Sequence, residues 1–351
     1  MKICSGSLKS KNFSEHIGDP RNAGRHSCGV KTKKYTQARK SMSISEILAQ
    51  AKDQLEKSGV SNSKLDSLVL LTHALCVSKE YVIFNPDLQL DEKQQKSFWE
   101  LVERRSKREP ISHILGKREF YGRDFIVSKD VLDPRPDSES LIELVLKKFP
   151  LKENKKIKIL EIGCGSGCLV ITLLKELKMA EAIALDISEA ALEVFGRNAV
   201  LHGVMDRIKF LQSDLFTELK HHEILRFAQD DTIACHPERS EGSRDSSQKF
   251  DLIISNPPYI ESQTIEELQP EVKIYEPRLA LDGGLDGLDF YRKIALEAKL
   301  FLCHSGKIVL EIGFGQKEEI VKIFAQNGFI LEELKQDLAG TVRALCFSLN
   351  D

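Results

Sequence analysis

Ile159-Leu160-Glu161-Ile162-Gly163-Cys164-Gly165-Ser166-Gly167-Cys168-Leu169-Val170-Ile171 decides the fold of this chain. An apolar run leads into alternating glycines, and a second apolar run of helical character follows. The order is strand, glycine-rich turn, helix. Glycine reaches φ > 0 without penalty and lets backbone come close to a ligand. The helix start behind it points free N–H groups at the same place. The dinucleotide fingerprint G-x-G-x-x-G would need glycine at position 168, which is cysteine. The pattern is instead E-x-G-x-G-x-G.

Strands and helices alternate around this stretch. Strands are expected at 157–162, 182–186, 207–212, 250–255 and 307–312, with a late adjacent pair near 329–334 and 343–348. Helices are expected near 167–178, 188–201, 286–301 and 316–327. Such alternation predicts a doubly wound, Rossmann-like α/β sheet, with the late pair as an antiparallel hairpin at one edge. The strand Ala182-Ile183-Ala184-Leu185 ends in Asp186, where a carboxylate can accept both hydroxyls of a ribose. The next, Phe210-Leu211-Gln212-Ser213-Asp214-Leu215, places Asp214 to accept from an adenine amino group. The Asp186 carboxylate fits a dinucleotide as well as S-adenosylmethionine. Singly, Glu161 reads as a surface carboxylate, Asp186 as a cap before Ser188 and Asp214 as a turn residue. Together they mark consecutive strand ends beside one glycine turn, where ligands of open α/β sheets bind.

A second signal follows the apolar run Phe250-Asp251-Leu252-Ile253-Ile254-Ser255: Asn256-Pro257-Pro258-Tyr259. Two prolines stiffen the turn and donate no N–H. Asn256 supplies an acceptor and two donors, and Tyr259 a flat face. The set can hold a planar group bearing an NH2: the amide of glutamine, or the exocyclic amine of adenine or cytosine.

The 351 residues suffice for two domains, and 41% hydrophobic with 30% charged content is ordinary for a globular protein. A net charge of −2 does not announce nucleic-acid binding. No apolar run approaches the roughly 18 residues of a spanning helix. The eight scattered cysteines read as reduced thiols in the cytoplasm, and no metal site is expected. Residues 1–41 hold ten Lys or Arg against Glu15 and Asp19. They are expected to be a disordered basic leader without function ahead of Met42, the alternatives being a transit peptide or an RNA-touching arm. Residues 42–108 are expected to form a small helical domain. Its first helix opens on the capping box Ser43/Glu46, with Ile44, Ile47, Leu48, Ala51 and Leu55 on one face. Two more helical stretches fall near 63–77 and 91–107. Residues 109–136 read as a linker with a β-hairpin, and a helix follows from near Ser138. Residues 137–351 carry the sheet, interrupted by the polar stretch 221–249, which reads as a looped-out surface insertion with a lid as the alternative.

Joined, these pieces resemble the release-factor glutamine methyltransferases, the HemK/PrmC family. The E-x-G-x-G-x-G turn is similar to that of S-adenosylmethionine-dependent methyltransferases, and N-P-P-Y is shared with enzymes that methylate amino groups of DNA and RNA. More specific are Arg108-Glu109-Pro110-Ile111-Ser112-His113-Ile114-Leu115-Gly116, Arg118-Glu119-Phe120-Tyr121 and Pro134-Arg135-Pro136-Asp137-Ser138-Glu139. Tyr275-Glu276-Pro277-Arg278-Leu279-Ala280-Leu281 and Gly306-Lys307-Ile308-Val309-Leu310-Glu311-Ile312-Gly313 also match. The leader and the 221–249 insertion depart from the family pattern, and an insertion folded over the pocket would impair activity.

The resemblance implies a class I methyltransferase sheet with S-adenosyl-L-methionine as donor and S-adenosyl-L-homocysteine as product. It implies cofactor binding by Glu161, Gly163, Cys164, Gly165, Ser166, Gly167, Asp186, Asp214, Leu215 and Asn256. The acceptor would be the side-chain amide nitrogen of the Gly-Gly-Gln glutamine of class-1 peptide chain release factors. Asn256, Pro257, Pro258 and Tyr259 would serve catalysis and substrate binding: Asn256 oxygen and Pro257 carbonyl accept from the NH2, and Tyr259 packs on the planar amide. The helical domain would grip the release factor. A cytoplasmic monomer with no stable nucleic-acid partner and no membrane is expected. Competing readings are a ribosomal-protein glutamine methyltransferase, an N6-adenine methyltransferase, a non-enzymatic cofactor-binding module, and a nicotinamide dehydrogenase, which Cys168 and N-P-P-Y disfavour.

Overall fold

Apolar faces at helical and strand spacing build three cores, seen in a computed structural model that describes residues 41–150, 156–221, 249–337 and 339–350. The leader at 1–41, except Ser41, and the insertion at 221–249, except its end residues, lie outside the described residues. Ser41–Asp351 forms one compact unit.

The chain enters through β1 (Met42–Ser43) and α1 (Ile44–Lys57). The capping box is present: Ser43 Oγ accepts from the Glu46 N–H, and Glu46 accepts from the Ser43 N–H at 2.8 Å. α2 (Ser63–Leu75), α3 (Lys79–Phe84), β2 (Gln89–Leu90) and α4 (Glu92–Ser106) follow, and β1 pairs antiparallel with β2. Ile44, Ile47, Ala51 and Leu55 of α1 meet Leu70, Val82, Phe98 and Val102 in one core. The short α3 and the β1–β2 pair were not expected, because two-residue strands and a six-residue helix are too short to show a period.

α5 (Ile111–Leu115) leads into β3 (Lys117–Phe120) and β4 (Arg123–Ile126), an antiparallel hairpin. Its turn residues, Tyr121 at φ 50° and Gly122 at φ 71°, both lie in the left-handed region, as a two-residue I′ turn demands.

The remaining elements are α6 (Glu139–Lys148), β5 (Lys158–Ile162), α7 (Cys168–Glu176), β6 (Glu181–Asp186), α8 (Glu189–Leu201), β7 (Ile208–Gln212), α9 (Thr217–His221), β8 (Phe250–Ser255), α10 (Pro270–Tyr275), α11 (Asp289–Glu297), β9 (Leu302–Glu311), α12 (Lys317–Gln326), β10 (Phe329–Gln336) and β11 (Val342–Leu349). They form a seven-stranded sheet in the order β10-β11-β9-β8-β5-β6-β7. The pairs β9–β8, β8–β5, β5–β6 and β6–β7 are parallel, and β11 runs antiparallel to both neighbours. Residues of α6, α7 and α8 pack on one face of the sheet, and those of α11 and α12 on the other. This is the doubly wound class I methyltransferase sheet. The chain starts at β5, winds to β6 and β7, then returns to β8 on the far side of β5. That reversal opens a crevice at the carboxyl ends of β5 and β8.

Two elements differ from the expected spans by more than two residues. β9 begins at Leu302 rather than 307, and an irregularity between Phe250 and Leu252 absorbs the extra residues against β8. α11 starts at Asp289 rather than 286, after Gly287 at φ 71°, and ends in a 3-10 turn at Ala298–Leu300.

Candidate active site

The glycine turn is tied to the strand beside it. Leu185 carbonyl accepts from the N–H groups of Gly163 and Cys164 at 2.8 and 3.0 Å. Asp186, at the end of β6, accepts from Gly165 N–H through Oδ2 (2.8 Å) and from Ser188 N–H through Oδ1 (2.9 Å). Thus Asp186 both braces the turn and starts the step into α8. Burial raises its pKa against the hydrogen bonds that lower it. Gly165 sits at φ 51° with open space where a Cβ would stand, whereas a Cβ on Gly167 would fall 2.7–2.8 Å from Phe195 and Ile171. Gly165 therefore leaves room on the ligand side, and Gly167 makes room for the core. Asn198, fully buried in α8, donates to Ser166 and Ile126 carbonyls and accepts from Ile126 N–H, joining turn to hairpin.

A cavity of about 360 Å³ opens over this turn, within the range of small-molecule sites. Glu161, Gly163, Cys164, Gly165, Ser166, Asp186, Asp214, Leu215, Asn256, Pro257 and Pro258 all line it. Gly167 and Tyr259 do not. Asp214 is exposed, and Leu215 turns the chain there at φ 50°. Glu161 is buried, with Oε2 unpartnered among the described residues, and burial drives its pKa well above the ordinary value. Burial also pushes the Cys164 and Cys168 thiols up, so neither is a thiolate near neutral pH. Among the described residues no group of His, Cys, Asp or Glu could hold a metal ion.

The tetrapeptide closes the other side. Ser255 Oγ donates to Ile162 carbonyl at 2.7 Å, locking the end of β8 to β5. Asn256, on the cavity wall, donates through Nδ2 to Ser138 Oγ at 3.3 Å. Ser138 in turn donates to Glu311 Oε2. Tyr259 is turned inward: its hydroxyl donates to Glu311 Oε1 at 3.4 Å and its carbonyl accepts from Gln316 Nε2 at 3.0 Å. Tyr259 does not line the cavity, and its hydroxyl and carbonyl are held by Glu311 and Gln316. Glu311 is buried, and burial raises its pKa to about 7. A second carboxyl, Glu276, is raised to about 7 by burial while Arg135, on the cavity wall, bonds both its oxygens.

Ser138, Glu311, Gln316, Asn198 and the Arg135–Glu276 pair were not singled out as site residues. One signal for Glu311 was present: Leu310-Glu311-Ile312-Gly313 repeats Leu160-Glu161-Ile162-Gly163.

The chain matches two protein families: "PrmC N-terminal domain" over residues 46–116 and "Methyltransferase domain" over residues 153–311. It is 39% identical to a bifunctional methyltransferase of Rickettsia felis, covering 87% of this chain and 58% of that protein. It is 37% identical to a release factor glutamine methyltransferase of Geobacter sulfurreducens (82% of this chain, 89% of that protein). It is 34% identical to one of Agrobacterium fabrum (87% and 96%). The chain thus spans little more than half of the bifunctional relative but nearly all of the other two. It belongs to the release factor glutamine methyltransferase family.

Proposed function

We propose that this chain transfers a methyl group from S-adenosylmethionine to the side-chain amide nitrogen of the glutamine in the Gly-Gly-Gln motif of class-1 release factors. One observation carries the reading. The Asn256-Pro257-Pro258 turn and the 163–166 glycine turn face one cavity, and Asn256 is tied back through its nitrogen.

The residues present fit an adenosine-bearing cation. Gly165 leaves open space at the turn, Asp186 and Asp214 stand at adjacent strand ends, and Glu161 offers a buried, unpartnered oxygen. When bound, S-adenosylmethionine supplies an electrophilic methyl group. Everything else is positioning by the chain. Asn256 Oδ1 and the Pro257 carbonyl accept both hydrogens of the substrate NH2, holding its nitrogen in the crevice between β5 and β8. Two acceptors with no donor between them select an NH2 over a carboxylate. An amide nitrogen is a weak nucleophile, so orientation and stabilisation of its developing positive charge carry the rate. Tyr259 acts from behind, anchoring the turn on Glu311. Product S-adenosylhomocysteine leaves from the same cavity.

The helical region 42–108 is the natural docking element for the release factor, with 109–136 as linker and 137–351 as transfer domain. A translation factor as substrate places the reaction in the cytoplasm. The relatives named for release factors support the acceptor. Among the described residues no helix is long and apolar enough to cross a membrane. The test is incubation with methyl-labelled S-adenosylmethionine and purified release factor, with tRNA and DNA as controls. Label is expected on the release factor and lost when Gly-Gly-Gln becomes Gly-Gly-Ala. Label retained on that variant, or found only on nucleic acid, refutes the reading.

A further inference from the structure

We propose that Glu311 is a positioning residue: through Ser138 it sets which end of the Asn256 amide faces the cavity, and it holds Tyr259 at the same time. The inference deepens the reading above, since it concerns the acceptor side of that site.

The argument is a count of protons. An ionised carboxylate only accepts. Glu311 then takes the hydroxyl hydrogens of Ser138 on Oε2 and of Tyr259 on Oε1. Ser138 has one hydrogen, so its remaining role toward Asn256 is acceptor, and Asn256 must present Nδ2 to it. Oδ1 is thereby fixed as the atom left for a substrate NH2. If Glu311 carries a proton, the acid hydrogen can occupy the Ser138 bond. Ser138 then donates to Asn256, draws Oδ1 back, and turns Nδ2 to the cavity, where two donors would meet. Ser138 and Glu311 are 2% and 1% exposed, so water does not blur the relay. Burying a carboxylate is costly compared with an apolar side chain of similar size. Here it holds Tyr259 of the tetrapeptide directly and Asn256 through Ser138.

Glu311 is also the group in its surroundings that changes charge near neutrality. Asp137, ahead of α6, and Arg343 of β11 face it and are paired to each other at 2.9 Å. Tyr259, Tyr291 of α11 and Cys168 of α7 are each pushed up by burial and stay neutral. Burial raises the Glu311 pKa to about 7, so the productive orientation strengthens as pH rises through that value. Glu276, the other carboxyl raised to about 7, is bonded through both oxygens by Arg135.

The experiment uses the cofactor-free protein first. The Asn256 side-chain NH2 signal in a nitrogen-15 proton correlation spectrum is assigned by its absence in Asn256→Ala and followed from pH 6 to 8.5. It is expected to shift with a midpoint near 7 in the wild type and to stay flat in Glu311→Gln. In turnover, Glu311→Gln is expected to lower kcat by about tenfold or more while the cofactor Kd stays unchanged. Ser138→Ala should lose a similar factor, and the double variant no more than the worse single one. The melting temperature of Glu311→Gln at pH 8 should not fall, because the buried charge disappears; a merely structural carboxylate would lower it. A flat Asn256 signal in the wild type, an unchanged titration in Glu311→Gln, or additive losses in the double variant overturns the proposal. The amide titration needs no methyl acceptor, so it stands or falls separately from the release factor as substrate.

Discussion

Two strands of the sheet end in the same tetrapeptide and do different things with it. Leu160-Glu161-Ile162-Gly163 closes β5, and Leu310-Glu311-Ile312-Gly313 closes β9. Both glutamates are about 1% exposed, and burial raises the pKa of both. Glu161 lies on the cavity wall with one oxygen unpartnered, beside a turn tied together by backbone hydrogen bonds to β6. Glu311 lies behind the wall with each oxygen engaged by a side chain distant in sequence, Ser138 and Tyr259. Identical local sequence thus yields a ligand-facing group at one strand end and a concealed brace at the other. The neighbours decide the role, and those neighbours come from the third dimension.

The largest effect should come from the residue that the second glutamate serves. Asn256→Ala removes the acceptor for the substrate amine. Turnover is expected to fall by about 10²–10³, the loss typical of one aimed group at a reacting centre. The cofactor Kd, measured by calorimetry, should change less than about threefold. Equal loss of both would merge the two sides into one binding surface and break the comparison.

That division also explains what could be read from the sequence. The cofactor side is local. Gly163, Gly165 and Gly167 follow one strand, and Asp186 and Asp214 end or follow the next two, so strand ends and glycine spacing disclosed the crevice. β8 is readable to the residue because Phe250, Leu252, Ile253 and Ile254 form an apolar run just ahead of Asn256-Pro257. The acceptor side is non-local. Ser138 stands 118 residues from Asn256 and 173 from Glu311 in the chain, and no periodicity links residues that far apart. The flat face of Tyr259 is legible in the sequence, but the partners of its hydroxyl and carbonyl are not. Its inward turn depends on Glu311 and Gln316, which only the folded sheet brings near. The short α3 and the irregularity in β9 escaped for a local reason: a period needs several residues to show.

Glu161 offers the next sharpest cut. Its pKa is raised chiefly by burial, with the nearby Asp186 charge adding to it. A cation entering the cavity favours the carboxylate, so binding should be linked to proton release. Calorimetry of S-adenosylmethionine binding in two buffers of different ionisation enthalpy reads that proton directly. Glu161→Gln is expected to abolish the release and weaken the cofactor about tenfold, an amount suited to one charge-assisted contact, with kcat at saturating cofactor nearly kept. Proton release that survives in the variant would remove Glu161 from the cofactor side.

The smallest effect is expected far from both glutamates, where charges join the helical region to α10. Glu271 of α10 takes Arg108 Nε at 2.6 Å and Arg105 Nη1 at 3.0 Å, while Arg105 also holds Asp66 at 2.7 Å. Burial raises the Glu271 pKa, but the two guanidiniums outweigh it and leave it below the ordinary 4.5. A lowered carboxyl pKa contributes stability that is present above that ordinary value and disappears as pH falls below it. Glu271→Gln leaves Arg105 its Asp66 partner, so the loss should be only about 1 kcal/mol, or roughly 2 °C in melting temperature for a chain of this size. The gap from wild type should be full at pH 7 and close as pH falls through the lowered pKa of Glu271. α10 leads directly to Glu276, which holds Arg135, and to Leu279 and Ala280 of the cavity wall. A shift there would move the wall without touching either strand end. The KM for the release factor should therefore rise modestly while kcat holds. A fall in kcat matching that of Glu311→Gln would show that the acceptor side is braced from the helical region as well as from β9.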